Sequence, residues 1–339
     1  MDSATETVRG REIRLASRPT GEPTGANFSS ATTAVGPLQD GEILVRNTLM
    51  SVEPYMRGRM NDAKSYVPPF AVGEALTGAA IGNVVASRSP DVPVGATVLH
   101  DRGWREFAAV PAKGARVIDT TSVPAETYLG ALGTTGFTAW VGLRIIAEVK
   151  SGQTLFVSGA AGAVGSMAVQ LAKRWGLRVI GSASSPEKAR VVREEFGADA
   201  AFDYHEGAYK QLRAFAPDGI DVYYDNVGGE QLEAAIAATR EHARIVLCGA
   251  VSQYNAASPP PGPRNLALAI GRRLRLEGFI VIDHMARFRD FVAEVAPLVA
   301  SGEIKAPTTF IDGLENAPEA LMQILKPNPT VGKVVVRVG

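Results

Sequence analysis

Three features of the 339-residue sequence predict an α/β fold: a doubly wound parallel sheet, with a second, β-rich domain ahead of it. Residues 154–165, TLFVSGAAGAVG, join a β-rich run to three glycines at three-residue spacing, and a helical pattern follows at once. From about residue 130, strand-like and helix-like segments alternate, as they do in a parallel sheet covered on both faces. Up to about residue 125, short β-like runs are broken by frequent Gly and Pro, the pattern of a compact, irregular β domain.

In the first region the β-like runs are 42–46, 79–86, 96–100 and 106–110. In the second, residues 154–158 are apolar and partly β-branched, which suits a strand buried on both faces. Gly159, Gly162 and Gly165 then break the run. Val164, Met167, Ala168, Leu171, Ala172 and Trp175 recur at spacings of three and four, one apolar stripe on a helix. Further strands are predicted at 178–183, 200–203, 221–225, 245–248 and 275–282, with helices at 206–215, 230–239 and 285–299. A short helix near 316–325 precedes a last strand, 333–338, expected to rejoin the β domain. Ser258-Pro259-Pro260-Pro261-Gly262-Pro263 reads as an extended, stiff spacer or a wall over a cleft, because proline fixes φ. These patterns place the domains at 1–127, 128–302 and 303–339, the last returning to the first.

Strand, glycine turn and helix together make a nucleotide site. Glycine has no Cβ to collide with a pyrophosphate, and free N–H groups at the helix start supply donors and partial positive charge. In the strict G-x-G-x-x-G register the first position is Ala160, so the strand and helix around the turn carry the assignment. A helix entry with no ligand is the bland alternative. The predicted strand 178–183 has no Asp or Glu at its end for a ribose 2′-OH; it is followed by Ser184, Ser185, Pro186, Glu187 and Lys188. A 2′-phosphate carries close to two negative charges, which a carboxylate would repel and Lys188 with the serines would bind. NADPH is therefore favoured over NADH. The same residues also read as a helix start, with serine as cap and proline first, and both readings hold together.

Charge is balanced, with 35 basic and 35 acidic residues, and no concentrated basic face suggests nucleic acid. The opening carries Asp2, Glu6, Arg9, Arg11, Glu12 and Arg14 without an apolar segment, and no apolar run reaches membrane-spanning length, so a soluble, cytoplasmic protein is expected. One cysteine, Cys248, excludes an internal disulfide and reads as packed at a strand end rather than nucleophilic. His100, His205, His242 and His284 are widely separated and form no metal-ligand pair, so no metal is expected.

Ser51 to Met60, SVEPYMRGRM, adds a second signature. With LASRPTGEPTGANF at 15–28, GWREFA at 103–108, SGAAGAVGS at 158–166, FDYHEG at 202–207, DNVGGE at 225–230, GAVSQYN at 249–255, PPGPRN at 260–265, LEGFIV at 276–281 and VGKVVV at 331–336, it resembles the zinc-independent medium-chain dehydrogenase/reductases. Within them it is similar to the leukotriene B4 12-hydroxydehydrogenase/prostaglandin reductases, 2-alkenal (double-bond) reductases and curcumin reductases. The resemblance implies a GroES-like β domain beside a Rossmann domain, with NADPH and substrate in the cleft between them, and a homodimer. It places Gly159, Ala160, Gly162, Ala163, Val164 and Gly165 at the pyrophosphate and Ser184, Lys188 and Tyr204 at the 2′-phosphate. Asn226 would line the strand ends and Tyr254 bond the nicotinamide ribose, with Cys248 and Thr330 also among the cofactor residues. Tyr55 would face the substrate, and the loop 259–263 would border the pocket or a partner subunit. Zinc-dependent relatives place cysteine near residue 51 and Gly-His-Glu near 73, where this chain has Ser51-Val52 and Gly73-Glu74-Ala75. It also departs from the group's usual pattern at Glu53, at Thr134-Thr135 and at Thr330.

The implied reaction is reduction of the C=C bond of an α,β-unsaturated aldehyde or ketone, with hydride added to the β-carbon and the enolate stabilised by hydrogen-bond donors. Tyr55 and the ribose hydroxyl positioned by Tyr254 are the candidate donors, since a phenol is protonated at neutral pH. By residue chemistry alone, Tyr55 reads first as packing behind Pro54, and the resemblance reverses that preference. Quinone reduction is the rival activity, and an NADPH-binding regulatory protein without turnover is the rival class.

Overall fold

The computed structural model describes residues 7–327 and 330–339; Asp2 and Glu6 of the charged opening lie outside the described residues. The chain folds into two compact units, 1–129 with 308–325 and 334–339, and 130–307 with 326–333.

The first unit opens with an antiparallel pair, β1 (Val8–Leu15) and β2 (Phe28–Val35). A larger sheet follows from β3 (Glu42–Ser51), β4 (Ala80–Ser87), β5 (Thr97–His100), β6 (Phe107–Pro111) and β7 (Arg116–Val117). The short helix α1 (Tyr55–Arg59) leaves the end of β3 and packs Met56 and Met60 into a core with Ile13, Leu15, Met50, Phe70 and Trp104. Every predicted β-like run of this region falls on a strand. The pair β1 and β2 was not predicted, because twelve residues rather than a tight turn connect the two strands and no hairpin signal marks them.

The second unit begins with α2 (Thr134–Val141), followed by β8 (Thr154–Val157), α3 (Ala163–Arg174), β9 (Arg178–Ala183), α4 (Pro186–Glu194) and β10 (Ala200–Asp203). It continues through α5 (Ala208–Phe215), β11 (Ile220–Asp225), α6 (Gly229–Ala238), β12 (Thr239–Leu247), α7 (Leu268–Arg272), β13 (Arg275–Gly278) and α8 (Phe288–Ala300). The six strands form one parallel sheet in the order β10-β9-β8-β11-β12-β13. Phe156, Ile180, Tyr223 and Ile245 lie in its buried core, as expected for strands covered on both faces. Three elements begin or end two or more residues inside the prediction, α8 among them because it starts at Phe288 and not at residue 285. Gly207, at φ +92°, separates a single 3-10 turn at Tyr204–Glu206 from α5, so that helix starts at Ala208. The strand predicted over 275–282 ends at Gly278, and residues 281–287 wind into a 3-10 helix before α8. The proline segment 259–263 takes no regular structure and is exposed up to Gly262, with Pro263 half-buried.

The chain then supplies β14 (Thr308–Asp312), α9 (Ala317–Ile324) and β15 (Lys333–Arg337). As expected, β15 rejoins the β domain, where Val335 aligns antiparallel with Ser51 of β3. The completed mixed sheet runs β14-β15-β3-β4-β5-β7, with β6 on the other side of β3.

Candidate active site

In the parallel sheet the chain steps from β8 outward to β10 and then returns to the far side of β8 as β11. Such a reversal opens a crevice at the carboxyl ends of the two central strands. The glycine turn lies there. Gly159 takes φ +59°, and a Cβ on Gly165 would fall 2.2 Å from the Gly159 carbonyl oxygen and 2.8 Å from the Ala160 Cα. Gly162 caps α3 without a side-chain acceptor, so the first-turn N–H groups of Ala163, Val164 and Gly165 point to whatever lies beyond the helix. This cradle, closed to side chains and lined by donors, fits a pyrophosphate.

Neighbouring strands complete it. Tyr224 of β11 aligns with Val157 of β8, so Asn226 emerges beside Gly159, and its Nδ2 donates to the Ser158 carbonyl at 2.8 Å. The Asp225 carboxyl is buried and accepts from Tyr223 Oη at 2.7 Å, Ser158 Oγ at 3.2 Å, and the backbone N–H groups of Val227 and Gly228 at 2.9 and 2.8 Å. Burial raises its pKa, and the four donors pull the other way. Asp225 therefore ties the turn after β11 to the glycine turn after β8. The sequence marked it only as part of DNVGGE; a polar residue ending an apolar strand before two glycines was the available signal. Ser182 and Gln231 form a second buried pair behind the turn, which nothing in the sequence marked.

Past β12, Tyr254 folds back so that its hydroxyl accepts from Ala250 N at 3.2 Å, and burial raises its pKa, leaving the phenol proton available to donate. Cys248 is pushed up to about 12, first by burial of its thiol, which stays protonated at neutral pH. Gly332 N donates to the Ala161 carbonyl at 2.8 Å, which ties the segment that follows Thr330 to the glycine turn.

At the next strand ends, Asp203 of β10 aligns with Ala183 of β9, so Ser184 and Tyr204 emerge side by side. Ser185 caps α4 by accepting from Lys188 N at 3.2 Å, with Pro186 first in the helix. The Lys188 ammonium reaches Ser184 Oγ at 3.5 Å. Burial alone lowers its pKa, and no charged neighbour acts on it. A half-buried cation of this kind suits a phosphate.

Tyr55 belongs to the other unit. It starts α1 after Pro54 and packs on the core, so the packing role is real. Its hydroxyl is raised well above the ordinary tyrosine range by burial and then by Glu53, while Arg59 opposes, so it remains a protonated donor. Ser51 Oγ donates to Glu53 Oε1 at 2.7 Å. Among the described residues no three His, Cys, Asp or Glu side chains group where they could hold a metal ion. No helix among them is long and apolar enough to cross a membrane.

A glycine turn at the switch point, with an ammonium beyond the end of the neighbouring strand that has no carboxylate partner among the described residues, defines the class as a dinucleotide-binding α/β protein. Comparison with known proteins agrees. Residues 11–118 match the N-terminal domain of oxidoreductases, and residues 163–299 match the family described as zinc-binding dehydrogenase. The chain is 39% identical over 338 residues to the NADPH-dependent curcumin reductase of Escherichia coli, covering 97% of each protein. It is 35% identical over 340 residues to the NADP(+)-dependent 2-alkenal reductase of Nicotiana tabacum, covering 98% of each. The crystal structure of CurA from Vibrio vulnificus with NADPH superposes with a TM-score of 0.91 at 38% identity, covering 97% of this chain and 99% of that one. The chain belongs to the zinc-independent medium-chain dehydrogenase/reductases, in the group of curcumin, 2-alkenal and prostaglandin reductases.

Proposed function

We propose that the protein uses NADPH to reduce the C=C bond of α,β-unsaturated aldehydes and ketones without a metal ion. The observation that carries the cofactor half is Lys188, an ammonium at the strand ends beside Ser184 and Tyr204 with no carboxylate partner among the described residues. Gly159, Ala160, Gly162, Ala163, Val164 and Gly165 cradle the pyrophosphate; Asn226, Cys248, Tyr254 and Thr330 line the nicotinamide end. NADPH, when bound, would supply the hydride for the β-carbon of the alkene, and a proton taken up from solvent would complete the α-carbon. The chain supplies hydrogen-bond donors: the Tyr55 phenol meets the carbonyl oxygen as it gains charge, and Tyr254 holds the ribose hydroxyl. Substrate work falls to residues 1–127 with the returning 303–339, cofactor work to 128–302, and two copies associate in the cytoplasm.

The test is NADPH oxidation across a panel of 2-alkenals, enones and quinones, with Lys188→Ala alongside the parent. Turnover of alkenals and enones above quinones is expected. Loss of the ammonium removes a charge-assisted contact, so KM for NADPH should rise about 10- to 100-fold while KM for NADH stays unchanged. Equal use of the two coenzymes by the parent protein, or faster turnover of quinones than of any enone, would overturn the reading.

A further inference from the structure

Arg59 ends α1 one helical turn after Tyr55, and the i,i+4 spacing places both on one face of the helix. Its Nε donates to the Pro68 carbonyl at 2.9 Å, its Nη1 to the Thr77 carbonyl at 3.4 Å, and its guanidinium carbon stands 4.0 Å from the centre of the Phe70 ring. All three partners are neutral, and no described carboxylate pairs with it. The side chain is partly buried, and two carbonyl oxygens and the face of the Phe70 ring take the place of water around its charge. Held on three sides, the charge is also rigid, which is what stabilisation of a developing anion requires.

Glu53, Arg59 and Tyr66 are the ionisable groups acting on the Tyr55 hydroxyl, and Arg59 is the cation among them. Glu53 works against it and is itself hydrogen-bonded by Ser51. During C=C reduction negative charge moves onto the carbonyl oxygen, and a phenol donating to that oxygen becomes partly anionic. A cation behind the phenol favours this shift.

We propose that Arg59 is a positioning residue for the reduction: it fixes the Tyr55 hydroxyl as donor to the substrate carbonyl and offsets the charge that passes to it. This rests on the reading of Tyr55 given above. The test measures kcat and KM for a 2-alkenal and NADPH in Arg59→Gln and Arg59→Lys, each in the parent and in a Tyr55→Phe background, with melting temperatures as a control. Arg59→Gln should lower kcat about 10- to 100-fold with KM for NADPH unchanged, and Arg59→Lys should regain part of it. In the Tyr55→Phe background the same change should cost under about twofold, because the two side chains act as one unit. Should Arg59→Gln fail to fold, Arg59→Lys decides: an effect that vanishes in Tyr55→Phe supports the proposal, and equal effects in both backgrounds overturn it. Parent-like kcat in Arg59→Gln beside an impaired Tyr55→Phe overturns it while sparing Tyr55, whereas unimpaired Tyr55→Phe removes the reading of Tyr55 and this proposal together.

Discussion

His100 is buried, with Nε2 2.9 Å from Asn47 Oδ1 and Nδ1 accepting from Arg102 N at 3.0 Å. That network assigns the proton to Nε2 and leaves the ring neutral. Burial pushes its pKa down to about 4, with Arg105 and Arg102 adding to the effect and Asp101 opposing it. A depressed folded-state value means the unfolded chain binds the proton first. Stability from this group is therefore complete above pH 6.5 and lost as pH falls toward 4, about 3 kcal/mol in all. Urea unfolding of the parent and His100→Gln between pH 7 and pH 4 checks this: the gap between the two curves should narrow as pH falls, and a gap independent of pH would refute it. Legibility at this scale followed local chemistry. The glycines and Lys188 were readable because a missing Cβ and a missing acidic residue are properties of the sequence itself. Asp225, Ser158 and Gln231 were not, because their partners lie up to 68 residues away and only the sheet register joins them.

The strand, turn and helix at 154–174 form the element on which the cofactor reading stands, and the three glycines in it are not equivalent. A Cβ at Gly165 collides with backbone at 2.2 and 2.8 Å, which no rotamer change relieves, whereas a Cβ at Gly162 meets only the Gly159 carbonyl at 3.2 Å. Gly165→Ala should therefore separate α3 from β8, costing about 2–4 kcal/mol and most NADPH affinity, while Gly162→Ala should cost under about 1 kcal/mol. Thermal unfolding with and without NADPH separates the two, and equal losses would mean that helix and strand do not pack as described. Elements with their own period, such as α3 and β9, were legible from sequence. Those set by one backbone angle or by a distant partner were not: Gly207 moves the start of α5, and β1 finds its partner β2 only across a long connection.

At the scale of the whole molecule, the parallel sheet has two edge strands among the described residues, β10 and β13. β13 pairs only with β12 among the described strands, so its other edge presents free backbone donors and acceptors. Large exposed apolar side chains flank it in the chain: Ile270 is 82% exposed, and Ile282 and Met285 about half exposed. An open edge with an apolar margin invites aggregation unless something covers it, and a two-fold copy of itself matches it because isologous contacts are self-complementary. The homodimer proposed above would thus join two sheets edge to edge through β13. Sedimentation at micromolar concentration should give twice the 35.7 kDa chain mass. Ile270→Glu combined with Ile282→Glu places four like charges across the two-fold and should yield monomers with the melting transition of the second unit lowered. A parent protein that sediments as a monomer, or a double variant that remains dimeric, would show that another surface, or none, joins the copies.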